Sequence, residues 1–264
     1  MPTNPCDQVL WSQSRGTGPT VLLLHGLRAS GHYWDRLLAA VHGRRLVAPD
    51  LLGFGRSPAP PEASYDVACH LAALERFVED EIVIVGHSTG GILAAALAAS
   101  HPASVRSLAL VAVPAYPDDA AARAEIGKLG SLARLTVGGH PSARLLCETM
   151  CRLRPVAVAL APLLVRDLPR EVAADGARHS WPSYSRTLCN VVVEHRLGPD
   201  LTQVRAPITF IHGRSDRTAP PAHVESLAAQ LRATHQAVTL EMVDGDHHLP
   251  VRRPEVIARV IDGA

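Results

Sequence analysis

The stretch Ile82-Val-Ile-Val-Gly86-His87-Ser88-Thr89-Gly90-Gly91, continuing as Ile92-Leu-Ala-Ala-Ala-Leu-Ala-Ala-Ser100, decides the fold. Ile82 to Val85 is a short β-branched run of the kind that forms a buried strand. Thr89 to Ser100 is small and apolar nearly all round, which suits a helix enclosed by other elements. Between them stands Gly-x-Ser-x-Gly, a pattern that gains meaning from its strand–turn–helix setting. Gly86 and Gly90 leave room for backbone passing close by on both sides. The turn exposes the Ser88 hydroxyl at a helix N-terminus, where amide N–H groups and the helix dipole favour negative charge.

Outward from this stretch the rhythm repeats. Thr20–Leu24, Arg45–Ala48, Leu108–Val113, Ile208–His212 and Val238–Val243 read as strands, and Gln8–Ser14 as an earlier edge strand. Continuous rather than alternating apolar runs fit a parallel sheet covered on both faces. Helical patterns lie between them at His32–Val41, Pro221–Ala233 and Pro254–Ile261. Another is expected over Asp66–Asp80, with Asp66 as N-cap and Val67, Leu71, Leu74 and Val78 on one face. The alternation predicts an α/β fold, a doubly wound and mostly parallel sheet with right-handed crossovers. From about Ala115 to Gln203 only helical patterns occur. The expected organisation is therefore a core in two parts, 1–114 and 204–264, with a helical cap inserted over 115–203.

Composition narrows the function classes. The chain has 264 residues, 47% hydrophobic and 19% charged, so it can bury a sizeable core. A formal charge of +1 offers no basic surface excess for a nucleic acid. The longest apolar run, Val156 to Val165, is interrupted by Pro162 and falls short of the roughly twenty residues that a membrane span needs. Residues 1–7 lack a basic segment followed by an apolar one, so no signal peptide is expected. The five cysteines at 6, 69, 147, 151 and 189 are odd in number and lack a Cys-x-x-Cys pair. They read as reduced thiols of a cytoplasmic protein. There is no HExxH motif, no phosphate-binding glycine loop and no dinucleotide fingerprint, so neither metal nor cofactor is expected.

Three further motifs follow strands. His25-Gly26-Leu27 comes directly after Thr20–Leu24, and its glycine lets the chain turn so that the Leu27 N–H can face the serine. An oxyanion hole needs two such donors, and the Leu27 and Thr89 amides are the candidates. His25 itself sits at a strand end and reads as a loop-bracing residue. Asp216 lies after Ile208–His212, and a loop holding His247 and His248 lies after Val238–Val243. All these groups belong to one sheet edge, where sites of open α/β sheets form. A serine is a poor nucleophile near neutral pH. A histidine must take its proton, and a carboxylate must hold that imidazole and stabilise its cation.

In this order of motifs the chain resembles the α/β-hydrolase superfamily, in its capped serine-nucleophile subgroup, over essentially its whole length. Asp50-Leu-Leu-Gly-Phe-Gly-Arg-Ser57 resembles another loop of that family, one that is usually structural. The resemblance implies Ser88 as nucleophile, Asp216 as acid, a histidine base and a cap over the site. The family's histidine commonly precedes the proline of the last helix by about seven residues, which selects His247 before Pro254. Asp246 stands where the family usually has glycine. The expected activity is cofactor-independent hydrolysis of an ester, thioester or lactone of a small hydrophobic molecule. C–C bond hydrolysis, acyl transfer or elimination on the same machinery is the alternative, followed by non-catalytic small-molecule binding. In the cap, Pro155–Val165 is apolar on every side and reads as core packing ahead of a pocket wall. Trp181 and Tyr184 are the candidate substrate contacts.

Overall fold

The computed structural model describes residues 4–234 and 237–264. Residues 1–3, where the stretch read for a leader begins, lie outside the described residues. The strands are β1 (Ser12–Arg15), β2 (Thr20–Leu24), β3 (Arg45–Pro49), β4 (Ile82–His87), β5 (Val105–Val111), β6 (Ile208–Gly213) and β7 (Val238–Val243). They form one sheet in the order β1-β3-β2-β4-β5-β6-β7. Only β1 runs antiparallel, against β3. The apolar strands are buried on both faces because alternate side chains feed two cores. Leu22, Leu24, Ile82, Ile84, Leu108 and Leu110 enter one. Val21, Leu23, Val83, Val85, Ala109 and Val111 enter the other. Full burial of each Val, Leu or Ile among them stabilises the fold by about 1.5–3 kcal/mol.

The helices before β5 are α1 (Asp35–Ala40), α2 (Val67–Leu74) and α3 (Thr89–Ser100). Between β5 and β6 come α4 (Asp119–Gly127), α5 (Ser131–Val137), α6 (Pro141–Arg152), α7 (Arg154–Leu164), α8 (Arg170–Asp175), α9 (Trp181–Arg186) and α10 (Leu197–Leu201). After β6 come α11 (Pro221–Arg232), α12 (Leu249–Arg252) and α13 (Pro254–Asp262). Helix α3 is enclosed as its composition requires, with every residue from Thr89 to Ala98 buried. No described helix is long and apolar enough to cross a membrane.

Four local expectations need correction. The edge strand is Ser12–Arg15 rather than Gln8–Ser14. Strand β5 stops at Val111 because Ala112 takes a positive φ of 48°. Helix α2 ends at Leu74, a 3-10 turn covers Glu75–Phe77, and Val78 is extended. Asp66 caps α2 as expected, accepting from the Cys69 N–H at 2.8 Å. The buried face, however, is Cys69, His70, Ala73 and Leu74, whereas Val67, Leu71 and Val78 are half-buried. That rotation follows from two anchors: His70 reaches Thr187 at 3.1 Å, and Cys69 bonds covalently to Cys6.

The Cys6–Cys69 disulfide is the fourth correction, to the reading of five reduced thiols. The partners are 63 residues apart, so no local spacing announces them. Cys147, Cys151 and Cys189 are free. Disulfides persist in oxidising surroundings, so the cytoplasmic expectation loses the thiol argument on which it stood.

Candidate active site

Strand order places the site. From β2 the chain crosses to β3 on one side and then to β4 on the other, so β2 and β4 are neighbours whose following loops diverge. Such a switch point opens a crevice beyond the strand ends. Leu24 pairs with Gly86, so Gly26 and Ser88, each two residues further on, lie side by side. A Cβ on Gly26 would stand 3.1 Å from Ser88 Cβ.

Ser88 occupies a strained backbone position, φ 54° and ψ −122°, at the N-cap of α3. Its N–H is held by the Val111 carbonyl at 2.9 Å. The flanking glycines make the turn possible. A Cβ on Gly86 would run into the Gly90 carbonyl oxygen, and one on Gly90 into the carbonyl oxygens of Leu24 and His25. Leu27 and Thr89 line the same cavity as Ser88, and neither backbone N–H has a hydrogen-bond partner among the described residues.

The β6 and β7 loops are tied together. Arg214 N–H donates to the Val243 carbonyl at 2.9 Å and Ser215 N–H to the Gly245 carbonyl at 3.0 Å. Asp216, 4% exposed, accepts at Oδ1 from the Thr218 and Ala219 N–H groups, each at 2.8 Å. Its Oδ2 accepts from His247 Nδ1 at 2.8 Å. Burial alone would raise its pKa, but the His247 hydrogen bond and charge, the Ala219 N–H and His212 outweigh burial and hold it below the usual carboxylate value. The Nδ1 contact leaves His247 Nε2 free to act as an acceptor. The Ser88 hydroxyl makes no hydrogen bond among the described residues and lines the cavity with His247.

His87 and His248 flank His247, and Tyr33 contacts both of them. His87 Nε2 donates to the His247 carbonyl at 2.8 Å and stacks on Tyr33 with ring centroids 4.7 Å apart. Burial, then the His247 charge, pushes His87 well below the ordinary imidazole value. The Tyr33 hydroxyl bonds His248 Nδ1 at 2.7 Å. Burial raises the Tyr33 pKa and lowers that of His248, so the neutral phenol donates to a neutral imidazole. The two adjacent histidines thus face different partners, His247 the Asp216 carboxylate and His248 a phenol. His25 braces the loop below: Leu51 N–H donates to its Nε2 at 2.9 Å, so its Nδ1 carries the proton and donates to the Gly26 carbonyl at 2.8 Å. Asp50 is equally committed, accepting from the Gly31 N–H at 2.6 Å and the Arg56 N–H at 2.8 Å.

A cavity of about 690 Å³ opens over Ser88, lined also by His247, His248, Leu27 and Thr89. Its far wall comes from the segment between β5 and β6. Ala157, Leu160, Ala161, Leu164 and Val165, in and just after α7, face it. This corrects the core-packing reading of Pro155–Val165, because no residue of α7 is buried. Tyr184 lines the cavity. Trp181 does not; it begins α9 and packs half-buried against the core, 6.3 Å from the Tyr184 ring. Arg28, Tyr33, Tyr116 and Met150 also line the cavity and escaped the sequence reading. Only Arg28 had a local signal, its place directly after Leu27.

A sequence model described as the alpha/beta hydrolase family matches residues 21–260. The chain is 28% identical over 257 residues to an Arabidopsis thaliana protein named probable lysophospholipase BODYGUARD 4, covering 86% of this chain and 59% of that protein. It thus spans about three fifths of that relative's length, and its matches to three further plant relatives cover 22–23% of theirs. To lipase LipV of Mycobacterium tuberculosis it is 28% identical over 258 residues, 93% of either chain. An E-2-(acetamidomethylene)succinate hydrolase superposes with a TM-score of 0.72 at 19% identity, covering 96% of this chain and 94% of that one. An esterase from Thermogutta terrifontis gives 0.68 at 23% identity, covering 96% and 92%. With the family match spanning nearly the whole sheet and the site, the chain belongs to the alpha/beta hydrolase family.

Proposed function

We propose that the protein is a serine hydrolase that cleaves esters with an apolar acyl chain through Ser88, His247 and Asp216. The observation that carries the reading is the 2.8 Å hydrogen bond from His247, which lines the cavity with the strained Ser88, to the buried Asp216. His247 Nε2 takes the Ser88 proton as Oγ attacks the ester carbonyl. The Leu27 and Thr89 N–H groups donate to the oxygen that becomes negative, aided by the N-terminus of α3. His247 passes the proton to the departing alcohol oxygen. It then takes a proton from water, whose oxygen attacks the acyl-serine, and returns that proton to Ser88 Oγ. Asp216 stays ionised throughout and stabilises the imidazolium.

The apolar wall supports the substrate class. Leu160, Leu164 and Val165 offer surface for a hydrocarbon chain, and few polar groups compete for the carbonyl. We read the segment over 115–203 as a lid that keeps water from the oxyanion. The lipase and lysophospholipase names of the relatives favour the same class. The test is labelling with a serine-directed phosphonate, read by intact mass, in wild type and Ser88→Ala. One adduct on wild type and none on the variant supports the reading; equal labelling overturns it. Incorporation of solvent oxygen into the acid product separates hydrolysis from acyl transfer.

A further inference from the structure

We propose that Arg28 recognises an anionic group, so that the ester this site takes carries a carboxylate or phosphate as well as its apolar chain. The proposal rests on the ester-hydrolase reading above and goes on to the substrate's charge.

Charge is the anomaly of the cavity. Its lining includes no Asp, Glu or Lys, and Arg28 is its one permanently charged side chain. Arg28 is half-buried beside the cavity's apolar surface, where a charge pair is screened less than on an open face. Yet Arg28 has no ion-pair partner among the described residues. Its Nε donates to the Gly176 carbonyl at 3.2 Å, and its guanidinium carbon lies 6.0 Å from the centre of the Tyr184 ring. Both Nη groups have no described partner. Asp175, next to Gly176 in the chain, is occupied by Ser30 at 2.5 Å, His32 at 2.7 Å and Arg178 at 2.9 Å.

The side chain is also held in place. Arg28 has a positive φ of 59°, within a turn closed by Ala29 N–H on the Gly26 carbonyl at 3.2 Å. One end of the guanidinium is fixed by Gly176 and one face lies toward Tyr184, leaving the Nη edge to present a fork. That geometry suits the paired oxygens of a carboxylate or phosphate. Arg28 directly follows Leu27, so an anion bound there lies on the substrate that reaches Ser88, not at a remote site.

The test compares kcat/KM within two matched pairs. One pair is p-nitrophenyl hexanoate and the mono-p-nitrophenyl ester of adipic acid, which places a carboxylate at the acyl end. The other is 1-decanoylglycerol and 1-decanoylglycerol 3-phosphate, which places a phosphate on the alcohol. Wild type is expected to favour the charged member of one pair by about tenfold or more, the size of a charge-assisted hydrogen bond. The pair that shows the preference identifies the source of the anion. Raising ionic strength should shrink that preference. Arg28→Gln should remove it, and Arg28→Lys should keep part of it. No preference for the charged member of either pair in wild type overturns the proposal, as does a preference that both variants retain. Turnover of the neutral esters that survives Ser88→Ala would instead defeat the underlying reading and leave the Arg28 result as a separate outcome.

Discussion

Two regions meet at the cavity and are held by different forces. The loops after β2, β4, β6 and β7 are fixed by strand register and short polar contacts, such as His247 on Asp216 at 2.8 Å and His87 on the His247 carbonyl at 2.8 Å. The opposite wall, α6 and α7, has few such ties. Leu163 is 60% exposed and Leu164 81%, and no residue of α7 is buried. Register and directional hydrogen bonds fix the relative positions of these loops. Apolar contact without directional bonds lets a wall yield to different chains. The chemistry should therefore be intolerant of substitution and the substrate range tolerant.

The largest expected effects break the fixed side. Ser88→Ala should lower kcat by several orders of magnitude with circular dichroism and melting temperature close to wild type. Activity above about a tenth of wild type would remove Ser88 as nucleophile, since tenfold is only ~1.4 kcal/mol of barrier. His247→Ala should cost about a thousandfold or more, and His248→Ala about tenfold or less, measured as kcat on one ester. The contrast follows from their partners, Asp216 for one and Tyr33 for the other. Comparable losses in both variants would mean that the two histidines act as one brace.

The fixed side was also the legible side. Gly86-x-Ser88-x-Gly90 after a β-branched run gave the turn, because close backbone approach excludes side chains at both glycines. Asp216 and the histidine loop could be placed because both follow apolar strands of one parallel sheet. What escaped depends on distance in the chain. Cys6 and Cys69 meet only once β1 and α2 are in place. Arg28 meets Gly176 across 148 residues, and α7 turns its apolar face to a cavity that α8 and α9 help to close. Periodicity reports how apolar a helix is, not whether its neighbour is protein or empty space.

A smaller effect comes from two buried histidines outside the catalytic proposal. His70 and His179 are buried, and burial pulls them down to about 4 and about 3 respectively, from an ordinary imidazole value near 6.5. Both are thus neutral in the fold and protonate more readily once unfolded. Between the folded and unfolded values the unfolded chain binds more protons, so stability rises with pH there and falls as the solution is acidified. For His70 the window runs from about 6.5 down to about 4, and the loss across it is on the order of 3 kcal/mol. Urea unfolding at stepped pH should show this slope, and His70→Gln should flatten it. An unchanged slope in that variant would assign the acid loss to other groups.

The smallest expected effect tests the yielding wall. Leu160 faces the cavity from α7 and is 47% exposed, so a larger side chain there meets solvent and cavity rather than packed core. Leu160→Trp should leave the unfolding midpoint nearly unchanged, within about 0.5 kcal/mol, as for surface changes away from packed features. It should shorten the acyl chain that is turned over best and raise KM for long chains several-fold, with kcat on a short ester little altered. Uniform loss of binding energy raises KM, whereas loss of groups used only in the transition state lowers kcat. A series of p-nitrophenyl esters from two to twelve carbons reads both. If the chain-length profile stays as in wild type while kcat falls, α7 acts on the chemistry and the two regions are not independent. If the profile shifts and short-ester kcat holds, the wall selects the chain while the strand-edge loops perform the reaction.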